Sequence, residues 1–250
     1  MIIAQISDTH IDLDGPNEAA RLGYLERCVA DINRLDPLPD AVIHTGDLAH
    51  NGKPAEYAAA KHVLGALRCP LHVGAGNRDD RAAIRSAFPA DRYLLPDTPF
   101  VQYSADAYSV RLIAVDTLSE SSNRGDFCQI RADSLRATLA GETTKPTIVF
   151  MHHPPFEVRE SDYPVQFASW EAVERMSRAL KGQRHVVGMF CGHTHRNAAG
   201  KVGGVPVSSM PSVAVDLRLG SYPAALEAIP IYKLHRFDAV QGVVSEIRAA

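Results

Sequence analysis

Short apolar runs alternate with stretches of helical periodicity along the first four fifths of the chain, and this alternation constrains the fold more than any other feature. The runs that predict buried strands lie at residues 2–6, 41–43, 71–73, 110–115, 147–151 and 186–190. Apolar residues at helical spacing predict helices near residues 22–35, 54–67, 131–140 and 166–181. Because strands and helices follow one another in this order, we expect an α/β fold with a largely parallel inner sheet and helices outside.

The last fifty residues have a different pattern. Short strand-like runs at residues 201–202, 205–208, 231–237 and 243–247 are separated by Gly and Pro, with no helical segment to cover them. They predict an antiparallel sheet packed on the parallel one. We find no repeat or linker, so residues 1–250 are predicted to form a single domain. Within it, residues 211–235 begin with an Ala-, Leu- and Pro-rich stretch and are predicted to form a lid or a homodimerisation surface.

Composition excludes several classes of protein. The chain has 250 residues, 46% of them hydrophobic and 22% charged, which is typical of a globular domain with one sizeable core. The formal net charge is −3 without a basic block, so a nucleic-acid polymer is not an expected partner. No apolar run is long enough to span a membrane, and the start of the chain lacks a secretory signal. Four widely spaced cysteines indicate neither a disulfide framework nor a cysteine zinc site, so a reducing, cytoplasmic location is predicted.

Polar residues follow five of the predicted strands, at the edge where open α/β sheets place their ligand sites. These segments are Asp8-Thr9-His10, Gly46-Asp47, Gly76-Asn77-Arg78-Asp79, His152-His153-Pro154-Pro155 and Gly192-His193-Thr194-His195. Taken singly, the Gly, Asp and Asn segments are compatible with ordinary turns, and His152-His153 is compatible with a polar strand end. His193-Thr194-His195 is a stronger signal, because residues i and i+2 of an extended segment point the same way. Five such segments in order, each after a strand, indicate a common site instead.

The side chains of these segments form a mixed set of imidazole, carboxylate and amide donors without a thiolate. Such a set suits Mn, Fe, Zn, Co or Ni. Seven donors exceed what one tetrahedral ion needs, but they suit two ions that share a carboxylate. Two ions about 4 Å apart can bridge a hydroxide and hold a phosphoryl group for in-line attack. No motif for a serine nucleophile or a phosphate-binding loop is present, so a side-chain nucleophile is not expected.

The same segments, read with their neighbours, resemble the motifs of the calcineurin-like metallophosphoesterases. ISDTH near the start, MHHPP and FCGHTH are similar to the bacterial branch that contains class III cyclic-nucleotide phosphodiesterases and glycerophosphodiesterases. The resemblance extends from about residue 2 to residue 210 and implies a four-layer αββα sandwich with mixed inner sheets. It also implies the ligands of a binuclear centre. One ion would be held by Asp8, His10 and His195, the other by Asn77, His152 and His193, with Asp47 bridging both.

The resemblance implies hydrolysis of a small phosphodiester, a 3',5'- or 2',3'-cyclic nucleotide or a glycerophosphodiester, by attack of a metal-bridging hydroxide on phosphorus. The implied cofactors are two transition-metal ions, with Mn or Fe preferred and Zn or Co as alternatives. Two alternatives stay open. One is a phosphomonoesterase or a nucleotide-type pyrophosphohydrolase. The other is a non-catalytic scaffold, which should have lost ligands that are all present here.

Arg78 departs from the family pattern, which usually has histidine at this position. Arginine does not donate its proton at neutral pH, but its planar fork suits phosphate oxygens. Arg78 is therefore predicted to bind substrate and to act in catalysis together with Asn77 and His193. The alternative is a surface arginine paired with Asp79 or Asp80. The same resemblance selects His152 rather than His153 as the ligand. His153 and His50 are weaker candidates for substrate binding.

Overall fold

The computed structural model describes residues 1–88 and 98–250. In chain order the strands and α-helices are β1 (Ile2–Ile6), α1 (Glu18–Ile32), β2 (Ala41–His44), α2 (Pro54–Leu64), β3 (Leu71–Val73), α3 (Arg81–Ala87), β4 (Tyr103–Ala105), β5 (Arg111–Ala114), α4 (Gln129–Ala140), β6 (Thr147–Phe150), α5 (Trp170–Leu180), β7 (Val186–Cys191), β8 (Ala199–Val202), β9 (Val205–Ser209), α6 (Ala224–Glu227), β10 (Ile231–Asp238) and β11 (Gly242–Ala249). A short 3₁₀ turn at Val215–Leu217 precedes α6.

The strands form two mixed sheets. The first has the order β11-β10-β1-β2-β3, and the second has the order β4-β5-β6-β7-β9-β8. Parallel pairing joins β1 to β2 to β3, and it also joins β5, β6, β7 and β9. Among the described residues, antiparallel pairing lies at the flanks of the sheets, where β10 pairs with β1 and β11, β4 pairs with β5, and β8 pairs with β9.

The C-terminal strands therefore do not form a sheet of their own, and the expectation of a separate antiparallel sheet was wrong. Instead, β10 and β11 extend the first sheet, while β8 and β9 extend the second. Local pattern does not determine this choice, because it shows that a segment is a strand without showing which edge the chain returns to. The expectation from the family resemblance, mixed inner sheets with helices outside, is confirmed.

The middle of β6 shows how the layers stack. Ile148 and Phe150 belong to the apolar core that also contains Ile3 of the first sheet. The alternate residue, Val149, belongs to a second core with Leu135 of α4. Since successive side chains of a strand point to opposite faces, β6 lies between the first sheet and the outer helices. This arrangement is the predicted αββα sandwich.

Several short elements escaped the sequence analysis. The helices α3 and α6 and the strand β4 have 7, 4 and 3 residues, which is too short for periodicity to identify them. In addition, α5 begins at Trp170 rather than near residue 166, because residues 166–168 form backbone hydrogen bonds with Gly125. Among the described helices, none is long and apolar enough to cross a membrane.

Residues 211–235 do not form one continuous surface element, because they divide into three parts with different environments. Residues 211–214 are buried, residues 220–229 lie mainly at the surface around α6, and residues 231–235 belong to β10. The single-domain organisation and the function of this segment as a lid or a dimerisation surface stay predictions.

Candidate metal centre

The predicted ligands share an unusual backbone conformation. Among the described residues, positive φ angles of non-glycine residues occur at Asp8 (52°), His10 (44°), Asp47 (54°), His193 (70°) and His195 (53°). This left-handed conformation costs an L-residue on the order of 1–2 kcal/mol, and such outliers concentrate at functional sites. All five follow the carboxyl ends of β1, β2 and β7. The strain is therefore located where the sequence predicts the site.

The first group of donors consists of Asp8, His10 and His195. The Nε2 atoms of the two histidines lie 3.1 Å apart. Oδ1 of Asp8 is 3.3 Å from Nε2 of His195 and 3.9 Å from Nε2 of His10. Nδ1 of His195 donates to the carbonyl oxygen of Leu217 at 2.9 Å. Because a carbonyl only accepts, this bond places the proton of a neutral His195 on Nδ1 and directs the Nε2 lone pair toward the group.

The second group consists of Asn77, His152 and His193. Oδ1 of Asn77 lies 3.0 Å from Nε2 of His152 and 2.8 Å from Nδ1 of His193, and the two nitrogens are 3.2 Å apart. Nδ1 of His152 donates to the carbonyl oxygen of Thr45 at 2.8 Å. The same reasoning therefore directs the Nε2 lone pair of a neutral His152 toward the amide oxygen of Asn77, which is itself an acceptor.

Asp47 lies between the two groups. Its Oδ2 is 3.5 Å from Nε2 of His10 in the first group and 3.5 Å from Nε2 of His152 in the second. Its Oδ1 accepts a hydrogen bond of 2.8 Å from the backbone N–H of Arg78. One carboxylate oxygen thus faces both groups, while the other is held by the loop that contains Asn77.

Charge in the site favours a cation. Burial raises the pKa of Asp8, but the hydrogen bond and charge of His195 outweigh it and lower this pKa to about 2. Burial lowers the pKa of His152, but the charge of Asp47 raises it to about 9. The protein alone therefore draws a proton onto His152, and a bound metal ion would replace that proton.

These donors fit metal ions. Ligand atoms about 2.1 Å from one ion lie roughly 3.0–3.4 Å from each other. Most of the separations within the two groups are close to this range, and the 3.9 Å between Asp8 and His10 is the largest. Without an ion, the converging acceptors of the second group need a proton between them, which agrees with the raised pKa of His152. Carboxylate, imidazole and amide oxygen suit a divalent transition metal. The structure thus brings together all seven predicted ligands, and their assignment to two ions is taken up as a proposal below.

Glycines allow the loops to approach this closely. A Cβ on Gly46, whose φ is 97°, would lie 2.6 Å from the backbone nitrogen of Gly76 and 2.7 Å from Nδ1 of His152. A Cβ on Gly192 would lie 2.5 Å from Oδ2 of Asp8. Substitution of either glycine would displace a predicted ligand or its loop.

His153 has a different environment from His152. Both are fully buried, but Nδ1 of His153 is 2.8 Å from the hydroxyl of Thr117 and its Nε2 donates to the carbonyl oxygen of Asn123 at 3.1 Å. Both ring nitrogens are therefore used by the protein itself. Its ring nevertheless lies beside that of His193, with 4.3 Å between the centroids. This geometry supports His152 as the ligand, and the role of His153 in substrate binding stays a prediction.

The two remaining candidates for substrate binding, His50 and Arg78, lie beside the two donor groups. Nδ1 of His50 is 3.5 Å from Nδ1 of His10. Burial lowers the pKa of His50, and the charges of Arg21 and Arg78 lower it further. Arg78 is exposed, and within the described part of the chain its guanidinium has no hydrogen-bond or ion-pair partner. Its charge is thus close to the site and available to a ligand.

Several residues in the segment 211–217 hold the predicted ligands in place, and the sequence analysis did not identify them. The hydroxyl of Ser212 donates to the carbonyl oxygen of Asp8 at 2.7 Å, and Leu217 accepts from His195. Asp216 forms an ion pair with Arg21, which also donates to the carbonyl oxygen of His10. No motif marks these residues, and the contacts of Ser212 and Asp216 span 204 and 195 residues of chain.

Comparison with curated proteins shows which proteins this chain is similar to. It is 31% identical over 225 residues to the glycerophosphodiester phosphodiesterase GpdQ of Enterobacter lignolyticus, covering 85% of this chain and 77% of that protein. It is 29% identical over 226 residues to the cAMP/cGMP dual specificity phosphodiesterase of Mycobacterium tuberculosis, covering 83% of this chain and 65% of that protein.

Solved structures and a family model agree on the fold. A protein of Thermus thermophilus superimposes with a TM-score of 0.61 at 13% identity, covering 98% of this chain and 97% of that one. Purple acid phosphatase from yellow lupin seeds has a TM-score of 0.60 at 14% identity, with this chain covering 53% of its length. The model of the calcineurin-like phosphoesterases matches residues 1–197. The chain therefore belongs to the calcineurin-like phosphoesterase family.

Proposed function

We propose that the protein hydrolyses small phosphodiesters, either glycerophosphodiesters or cyclic nucleotides, with two transition-metal ions. The predicted enzyme class, a metal-dependent phosphodiesterase, is confirmed by the family match and by the relatives named above. The observation that carries the proposal is the position of Asp47, whose Oδ2 lies 3.5 Å from an imidazole of each donor group. A carboxylate in this position is suited to bridge two ions.

Asp8, His10 and His195 would hold one ion, and Asn77, His152 and His193 would hold the other. The mixed oxygen and nitrogen donors favour Mn or Fe, with Zn and Co as alternatives. When bound, such a pair supplies water activation and neutralises the charge on a phosphoryl group. The predicted direct roles of Asn77 and His193 in catalysis follow from their place in the second group.

Arg78 would hold the substrate by its phosphate oxygens. Its backbone N–H is bonded to Asp47, so the loop places it next to the bridging carboxylate. Its exposed guanidinium can donate two parallel hydrogen bonds to a phosphoryl group. It cannot supply a proton to the leaving group at neutral pH. Diesters whose leaving groups need little acid assistance are therefore the preferred substrates.

A pyrophosphohydrolase is the second candidate, because a free guanidinium suits a diphosphate as well as a diester. A hydrolysis panel on Mn-reconstituted enzyme distinguishes the two. The panel contains cyclic mononucleotides, a glycerophosphodiester, an aryl diester with its monoester, and a nucleoside diphosphate ester. We expect turnover of at least one natural diester that exceeds turnover of the monoester and the diphosphate ester.

Two further variants sharpen the panel. His152→Ala is expected to abolish turnover of every substrate, which excludes a contaminating hydrolase. Arg78→Ala is expected to lower kcat/KM for diesters while leaving metal content unchanged. Preferential cleavage of the diphosphate ester would refute the diesterase proposal, and absence of turnover on all substrates would refute the enzymatic one.

The proposed setting follows from the same features. A small phosphodiester is the partner we propose, rather than a nucleic-acid polymer or a membrane, and a homo-oligomer remains open. All four cysteines are free, which supports a reducing cytoplasm.

A further inference from the structure

A row of buried hydrogen bonds starts at Oδ2 of Asp8 and leads through neighbouring polar side chains into the protein. Oδ2 of Asp8 accepts from the hydroxyl of Ser7 at 2.5 Å, and Oγ of Ser7 accepts from the hydroxyl of Thr45 at 2.6 Å. The direction is fixed because an ionised carboxylate only accepts. Oδ1 of Asp8 is left to face Nε2 of His195 at 3.3 Å. Ser7 thus helps to hold Asp8 with Oδ1 toward the first group, together with the backbone N–H of His193, which lies 3.1 Å from both carboxylate oxygens.

The row continues through Gln5, which is fully buried on β1. Nε2 of Gln5 donates to Oγ1 of Thr45 at 3.0 Å and to the carbonyl oxygen of Cys191 at 2.9 Å. Since the carbonyl of Cys191 only accepts, the amide of Gln5 has one possible orientation. Its Oε1 therefore faces Nε2 of His235, at 3.0 Å, and accepts the proton there.

His235 is the buried residue of this row that lies farthest from Asp8, and only 1% of its surface is exposed. Its Nδ1 is 2.7 Å from the hydroxyl of Ser245 on the edge strand β11, which donates because Nε2 holds the ring proton. The ring stacks on Phe190 of the second sheet, with 3.6 Å between centroids and 14° between planes. Burial lowers the pKa of His235 far below its ordinary value, consistent with a neutral ring.

All of these bonds point in one direction, toward Oδ2 of Asp8. The members of this hydrogen-bond row, from the surface inward, are Ser245, His235, Gln5, Thr45, Ser7 and Asp8. We infer that His235 is a positioning residue for the first metal ion, acting through this row to hold Asp8 in the orientation that binds it.

Three features support this inference. First, outer partners of metal ligands typically affect metal affinity by 10–100-fold when they are removed. Second, donors that all point the same way polarise one another, so each strengthens the bond of the next. Third, His235 is far outside the stretch of residues 1–197 that the family model matches, yet it is connected to Asp8 of the first motif. The two outer members of the row, His235 and Ser245, therefore lie beyond the matched stretch and reach Asp8 only through the pairing of β10 with β1.

The test measures metal affinity rather than turnover. Thr45→Val removes the hydroxyl that donates to Ser7, and His235→Phe removes the donor to Gln5 while preserving an aromatic ring against Phe190. Thr45→Ser retains a hydroxyl and should restore binding. Thr147→Val is the matched control. Thr147 is also fully buried, but it lies at the start of β6 in the second sheet, and its hydroxyl donates to the carbonyl oxygen of Lys145 rather than to a member of the row.

Mn²⁺ binding is measured by competition with a chelator, and the unfolding free energy of each metal-free protein is measured separately. We expect Thr45→Val and His235→Phe each to weaken the first ion by about 10-fold or more, while the second ion and the Thr147→Val control are unchanged. The double variant should resemble the more severe single variant, because both interrupt the same row.

Unchanged Mn²⁺ affinity in both variants, with lower stability only, would show that the row is merely structural and would overturn the inference. Additive losses in the double variant would also overturn it. The inference rests on the proposed function only in requiring an ion at Asp8. Normal Mn²⁺ binding to wild type, weakened in the variants, combined with no phosphodiester turnover would refute the function and retain the inference.

Discussion

Replacement of Asp47 by Asn should weaken both metal ions at once. Oδ1 of Asp47 accepts the backbone N–H of Arg78 at 2.8 Å, so the amide oxygen of Asn is expected to keep that place. The amide nitrogen then takes the place of Oδ2, which is 3.5 Å from Nε2 of both His10 and His152. Its hydrogens would point toward both ions. In the metal-free protein they can donate to the same imidazoles, so the fold should persist.

The expected size of this effect follows from the charge that is lost. A pair of unit charges 4 Å apart interacts with about 4 kcal/mol at an effective dielectric constant of about 20. Hydration and the remaining ligands offset part of this. We therefore expect a loss of about 2–3 kcal/mol for each ion, which corresponds to roughly 30–150-fold in the dissociation constant. Turnover should fall with the occupancy of both ions.

Titration calorimetry with Mn²⁺ and elemental analysis of the saturated protein measure this effect. Wild type should approach two ions per chain at saturation. Asp8→Asn is the matched control and should weaken one ion, because the imidazoles that the Asp8 carboxylate faces are His10 and His195 of the first group, while its contact with His193 is to the backbone N–H. A variant at Asp47 that loses affinity for a single ion, or a wild type that is fully active with one ion, would refute the shared-carboxylate arrangement.

Three further predictions concern neighbouring residues. His152→Ala should lose the second ion. His153→Ala should retain both ions and lose about 1–3 kcal/mol of stability, because the buried hydroxyl of Thr117 loses its acceptor. The reverse result by metal analysis and denaturant unfolding would exchange their roles. Arg78→Ala should keep both ions but lower kcat/KM by about 10²–10³. Arg78→His should preserve or raise turnover of diesters with poor leaving groups. Kinetics equal to those of wild type in both variants would exclude Arg78 from the mechanism. Burial lowers the pKa of Lys233 to about 8. The unfolded chain therefore holds this proton up to higher pH than the folded protein does. As the pH rises from 8 to 10.5, wild type should gain up to about 3 kcal/mol of unfolding free energy relative to Lys233→Met. A difference in unfolding free energy that does not change with pH would contradict this.

The sequence was sufficient to predict the ligands as a set. Asp8, Asp47, Asn77, His152 and His193 each follow a strand that local pattern identifies, and parallel strands bring their carboxyl ends to one edge. These predictions depend only on contacts within a few residues. The metal assignment itself, and the role of Arg78, stay predictions until binding is measured.

Other features of the site depend on contacts that no local pattern encodes. His152 and His153 are adjacent and equally buried, and only their distant partners, Thr45 and Thr117, distinguish a free lone pair from a bonded one. Likewise, the left-handed backbone at Asp8 and His195 is maintained by surrounding structure, because neither residue adopts it without cost.

Short-range periodicity in the sequence was enough to predict the longer strands and helices and the side chains that follow the carboxyl ends of the strands. The pairing of β10 and β11, and with it the set of residues that support the ligands, depends on the tertiary structure. His235 is 230 residues from Gln5, and their hydrogen bond exists only because β10 was placed beside β1. Strand order is set by the burial of both sheet faces and by the pairing of edges across the whole domain, which is a property of the assembled layers rather than of any segment.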